Sequence, residues 1–214
     1  ADWMLENVLV VLFIAVITVS YKRFPLSRIS YTLLFIFLAL HEIGSHYTYA
    51  KVPYDEWTLQ IFGFSVNKLM GFQRNHYDRV IHFCYGLLLA YPIRELFIRV
   101  AQVKGFWGYF LPIDLTMSTS LMYELIEWAA AVLLGGELGM AYLGTQGDIW
   151  DAHKDMAWAS LGALIAMIVT VCINISLQRD FAREWNESVK IKGRQPLGED
   201  EIMRMWSKRK EIDE

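Results

Sequence analysis

Histidines and carboxylates fall in this chain at places where its apolar surroundings should exclude them. Asp78 and His82 stand four residues apart, Glu124 and Glu127 three apart, and Asp148, Asp151 and Asp155 follow an i, i+3, i+7 pattern. On a helix each of these groups shares one face. Glu42 and His46 are also four apart, and His76 lies just before the Asp78 pair. Imidazole and carboxylate projecting from facing helices are how bundle proteins build metal sites. A cation also accounts for several anions sharing a low-dielectric space. The candidate ligands are His46, His76, Asp78, His82, Glu124, Asp148, Asp151 and Asp155, and Glu127 is the candidate general base. Such a mixed set suits zinc, iron or manganese, whereas a carboxylate-only subset suits calcium or magnesium. The number of acids leaves room for one or two divalent ions. The competing reading is a satisfied polar network in which Arg79 and Lys154 neutralise the acids.

Other patterns are weaker. The run from His41 to His46 approaches the zinc-protease H-E-x-x-H, but its second histidine comes one residue late. Rings five positions apart diverge by about 140° on a helix. His41 therefore reads as a packing histidine, and His153 lies off the aspartate stripe. The segment from Gly144 to Gly147 lacks the Lys-Ser/Thr of a phosphate-binding loop. It reads as a tight turn, with Thr145 or Asp148 capping the next helix.

The elements that position these residues must lie in lipid. The 214 residues are 55% hydrophobic and 20% charged, with a mean hydropathy of +0.27. Soluble domains carry more charge and fewer apolar residues. A net charge of −3 argues against nucleic acid as a partner. Cys84 and Cys172 sit in apolar runs and read as small hydrophobes. Five stretches approach the length of a membrane span, at residues 5–21, 29–43, 76–91, 106–134 and 149–177. The expected fold is an all-α polytopic bundle over residues 1–178, followed by a charged cytoplasmic tail at 179–214. A surface helix is expected around Ile202, Met205 and Trp206, and another amphipathic segment near Trp57.

Lys22, Arg23 and Arg28 fill the first connection, and Arg94, Arg99 and Lys104 the third, while Asp2, Glu6 and Glu137 mark the opposite side. The positive-inside rule then places the N-terminus outside and the C-terminus in the cytoplasm. Trp3, Trp57, Trp107 and Trp150 fall near the expected boundaries. This topology gathers the unusual acids and histidines at the extracytoplasmic ends of spans two to five. If the fourth span surfaces near Gly135, Glu124 lies roughly 15 Å below its end. Charges at such depth cost about 2.5–3.5 kcal/mol each unless they face partners, water or a cation.

Four strings sharpen the reading: HYTYAKVP at 46–53, NHYDRVIHF at 75–83, YELIEW at 123–128 and GTQGDIWDAHKDM at 144–156. Together, and in this order, they resemble the YjdF family of bacterial inner-membrane proteins of unknown function. The resemblance covers about residues 20–175 and implies a multi-pass inner-membrane fold. Its pattern falls on His46, His76, Asp78, His82, Glu124, Glu127, Asp148, Asp151 and Asp155, and leaves out His41 and His153. A fainter similarity, to VanZ-like proteins, carries no chemistry across.

Two functions follow as expectations. One is a metal-dependent hydrolase acting on a membrane lipid or lipid-linked small molecule, with Glu127 accepting a proton from bound water. The other is an ion- or proton-coupled transporter or sensor built on the same acids. Against the latter, the inner halves of spans two, three and five carry no matching polar trail; Asp114, Thr116, Ser118 and Thr119 on span four are the exception. Haem held by two histidines would leave the carboxylates without a purpose.

Overall fold

The computed structural model describes residues 2–136, 145–191 and 198–213. Glu137 and Gly144 fall outside them, as do the side chains of Asp2, Trp3 and Glu6. The described residues form helices and no strand: α1 (Asp2–Ser20), α2 (Arg28–His46), α3 (Tyr54–Phe62), α4 (Val66–Met70), α5 (Tyr77–Val100), α6 (Trp107–Leu134), α7 (Asp151–Leu177), α8 (Phe181–Ser188) and α9 (Glu199–Asp213). Of these, α2, α5 and α7 are long and apolar enough to cross a membrane. The apolar stretch of α1 is shorter, Asn7–Ser20. Helix α6 has 28 residues, ample length, but Asp114, Glu124 and Glu127 interrupt its apolar surface.

Side-chain pairs fix the helix directions. Asn7 Nδ2 donates to Ser45 Oγ, setting α1 antiparallel to α2. Ser30 Oγ donates to Glu95, and Tyr77 Oη to the Leu40 carbonyl, so α2 and α5 are antiparallel too. The Tyr85 and Thr119 hydroxyls pair α5 with α6, and Asn174 bonds Tyr109 to join α6 to α7. The five long helices thus alternate in direction. Residues 47–76 and 145–150 meet at one end, where Arg74 donates to the Thr145 carbonyl and Gln146 to that of Asn75, with residues 21–27 and 101–106 at the other.

The parallel pair α5 and α7 forms the most extensive helix contact. Its seam is built from small residues: Gly86 and Ala90 on α5 meet Ala159, Gly162, Ala163 and Ala166 on α7. Small side chains let membrane helices approach closely, so dispersion contacts replace the hydrophobic drive that lipid removes. Two turns toward the start of each helix, the same faces carry Asp78 with His82, and Asp151 with Asp155. The seam that packs the bundle also brings these acids together.

Helix starts and ends follow local chemistry. Ser27 caps α2 by accepting from the Ser30 backbone N–H. Gly63 and Gly71 end α3 and α4 in the left-handed region, at φ of 75° and 70°. Helix α5 continues beyond the expected end at residue 91, running through a buried Pro92 to Val100. Arg99 at that end donates to Glu95 and the Pro25 carbonyl, tying it to the α1–α2 connection. Trp57, Leu59, Ile61 and Phe62 are exposed on α3, and α9 exposes Ile202, Met205 and Trp206.

Candidate metal centre

Asp78, His82 and Asp155 each offer a ligand atom, and these atoms lie within 4.8 Å of one another. His82 and Asp155 are buried and Asp78 partly so. His82 Nε2 lies 3.7 Å from Asp78 Oδ1 and 3.6 Å from Glu124 Oε1. Helices α5, α6 and α7 therefore all contribute to one cluster. Glu124 Oε1 and Asp155 Oδ1 are buried oxygens with no hydrogen-bond donor. Buried polar atoms are seldom left so without a reason. Asp78 and Asp155 are in addition close enough for their charges to repel, and an oxygen-binding cation is a group that these residues could hold.

A second layer lies toward the helix starts. Arg74 Nη2 donates to Asp151 Oδ1 at 2.5 Å and to Asp148 Oδ2 at 3.2 Å. Arg79 Nη2 reaches Asp148 Oδ2 at 2.6 Å and Asp151 Oδ1 at 3.3 Å. Lys154 Nζ lies 2.6 Å from the same Asp148 oxygen. Arg79 Nε, 3.9 Å from Asp155 Oδ1, links the two layers. Asp148 precedes α7 in a turn, where its Oδ1 accepts from the Trp150 backbone N–H at 3.0 Å. The Lys154 and Trp150 hydrogen bonds hold its carboxyl well below the usual carboxylate range.

The aspartate stripe is thus divided: Asp155 belongs to the inner cluster, whereas Asp148 and Asp151 are engaged by cations. Of these cations, Arg79 and Lys154 were visible as counter-charges in sequence; Arg74 was not. It sits in an irregular connection, 77 residues from Asp151, and no periodic signal marks it. His76 Nδ1 lies 3.0 Å from Arg79 Nη1, and its ring packs on Phe72. His46 is exposed at the end of α2 with its ring against Tyr47, apart from the group of three. Glu127 is partly buried one turn beyond Glu124 on α6. His41 is buried, its Nδ1 2.6 Å from the Tyr49 hydroxyl, while His153 is exposed beside Trp150.

A cavity of about 420 Å³ opens beside the cluster, between α1, α2, α5 and α6. Phe13, Phe37, Ile81, Leu89 and Ile126 make it mainly apolar, and Asp78 and His82 line it as well. Pockets of this size and character, with a few convergent polar groups, are the usual form of small-molecule sites.

The helices, the buried acid–histidine cluster and the apolar cavity define a membrane protein of the all-α class. Residues 1–175 match the family described as "Predicted membrane protein (DUF2238)", and the chain belongs to that family. It is 39% identical over 167 residues to the inner membrane protein YjdF of Escherichia coli strain K12, covering 78% of this chain and 76% of that one. No solved structure matches it. This kinship and the apolar helices place the chain in a bacterial inner membrane.

Proposed function

We propose that this protein is a five-span enzyme with its N-terminus outside, a metal-dependent hydrolase of a lipid or lipid-linked substrate. The observation that carries the reading is the convergence of Asp78, His82 and Asp155 within 4.8 Å, with Glu124 against His82, at the end of an apolar cavity. The alternating helix directions and the basic connections at the far end support the topology.

Asp78, His82 and Asp155 are the ligands of this proposal, and Glu124 completes or borders the set. These residues would hold a divalent cation, and such a cation would supply an activated water as the nucleophile. Glu127, one turn nearer the mouth than Glu124, is the proposed proton acceptor. Asp148 and Asp151 anchor the cationic groups Arg74, Arg79 and Lys154 on the outer side of the cluster. His46 and His76 stay in the proposal only as residues around the mouth.

Elemental analysis of the detergent-purified protein tests this, comparing wild type with Asp78→Ala and Glu124→Ala. The expected result is about one equivalent of zinc, iron or manganese in wild type and a loss in Asp78→Ala with helicity intact. Protein that stays metal-free after addition of zinc, manganese and calcium would instead favour the proton- or ion-coupled reading of the same acids.

A further inference from the structure

Three zones follow one another along α5 from its start. Around the starts of α5 and α7, Arg74, Arg79 and Lys154 converge on a single oxygen, Asp148 Oδ2, at 3.2, 2.6 and 2.6 Å. Next comes the cluster of Asp78, His82 and Asp155. Asp78 and His82 of this cluster also line the apolar cavity, which runs along α5 from Asp78 to Leu89, about 16 Å of helix at 1.5 Å per residue. Cation, polar centre and hydrocarbon space occur in the order of an anionic amphiphile.

We infer that the site binds a single-chain lipid bearing a phosphate, with the phosphate at Arg74, Arg79 and Lys154 and the chain in the cavity. The inference rests on the proposed hydrolase only for what happens between the two ends, and binding stands without it.

The rim at the starts of α5 and α7 favours phosphate on chemical grounds. Three cations gather there around Asp148 and Asp151, and Arg79 Nε also lies 3.9 Å from Asp155 Oδ1. Guanidinium groups match the geometry of phosphate oxygens, and lysine adds a point charge. The cavity favours one chain. At roughly 30 Å³ per water-sized group, its volume takes on the order of a dozen such groups. Ser120 Oγ lines it, is buried to 2% exposure and has no hydrogen-bond partner. Helix α1 closes one side through Leu9, Leu12 and Phe13. Its contact with the rest of the bundle is slight, so a chain can enter laterally from lipid.

Isothermal titration of the full-length protein in detergent tests this with hexadecyl phosphate, hexadecanol and inorganic phosphate. Hexadecyl phosphate should bind tightest. Met122→Trp fills the cavity from a side chain that is 59% exposed, so the fold should tolerate it. It should weaken both alkyl probes by about tenfold or more. Ser120→Phe is the second, deeper block. Lys154→Ala, on a side chain 46% exposed, should weaken hexadecyl phosphate alone. Unchanged alkyl binding in Met122→Trp would sink the cavity assignment, and unchanged hexadecyl phosphate binding in Lys154→Ala would sink the rim. Inorganic phosphate binding as tightly as hexadecyl phosphate would make this an anion site and not a lipid site. Metal content is measured on the same samples. Alkyl phosphate binding to protein that never holds metal removes the hydrolase alone, whereas metal without alkyl binding removes this inference alone.

Discussion

Gly86 of α5 lies against the backbone of α7 so closely that a Cβ there would overlap the carbonyl oxygen of Ala159. The relation is reciprocal, because a Cβ at Gly162 would overlap the Phe83 carbonyl oxygen. Gly86 is four residues after His82, and Ala159 four after Asp155, so this contact sets the helix separation at the cluster. Gly86→Ala should therefore force α5 and α7 apart. We expect a loss of roughly 1–3 kcal/mol, the usual range for overpacking, together with reduced metal binding. Thermal denaturation by circular dichroism, paired with elemental analysis, checks both. A variant with unaltered melting and metal content would show that the seam does not set the cluster.

The helices were largely legible from the sequence, because lipid demands long apolar runs and the chain supplies them. The pairing of Asp78 with His82 was legible too, since both lie on one helix and helical spacing fixes their common face. What failed to show was how distant segments divide the acids. Asp148, Asp151 and Asp155 read as one stripe, but α7 starts only at Asp151, and Asp148 sits in the turn before it. Arg74 draws Asp148 and Asp151 outward from a segment without periodicity, so spacing alone had no means of finding it. The same limit applies to His46. Its spacing from Glu42 was helical, yet the ring lies at the exposed end of α2, beside Tyr47.

That division predicts different outcomes for two aspartates that look alike in sequence. Asp155→Ala removes a buried carboxylate from the inner group of three and should abolish metal retention. Asp148→Asn keeps the size of the side chain and should leave metal content close to wild type, because its oxygens face Arg74, Arg79 and Lys154. Elemental analysis after gel filtration separates the cases. Equal loss of metal in both would mean that the two layers act as one site.

Arg74→Ala should destabilise the protein although Arg74 lies outside every long helix. Asp151 is buried, and its shortest ion pair is the 2.5 Å contact to Arg74 Nη2. Arg79 remains at 3.3 Å and compensates in part. Leaving a buried polar group short of a partner costs roughly 1–3 kcal/mol. The loss should fall in that range and should shrink sharply in the double variant Arg74→Ala/Asp151→Asn. Additive effects in this double-mutant cycle, read from denaturation midpoints, would show that the two residues are not coupled.

The outer rim should also give the protein a defined response to acid. Asp148 accepts hydrogen bonds from Lys154 and the Trp150 backbone, and its carboxyl is held below its ordinary value. A carboxyl with a lowered folded-state pKa contributes stability that is fully present above the unfolded value, about 3.9. That contribution is lost as pH falls from there through the folded value. The melting temperature of wild type should exceed that of Asp148→Asn by a constant margin at neutral and mildly acidic pH. Below about pH 4 the margin should narrow as the unfolded-state carboxyl becomes protonated. Melting curves for both proteins across this range make the comparison, and raised salt should reduce the margin only modestly because the rim is partly buried. A margin that widened on acidification would reverse the sign and show that Asp148 is not stabilised as a carboxylate by its three cationic neighbours.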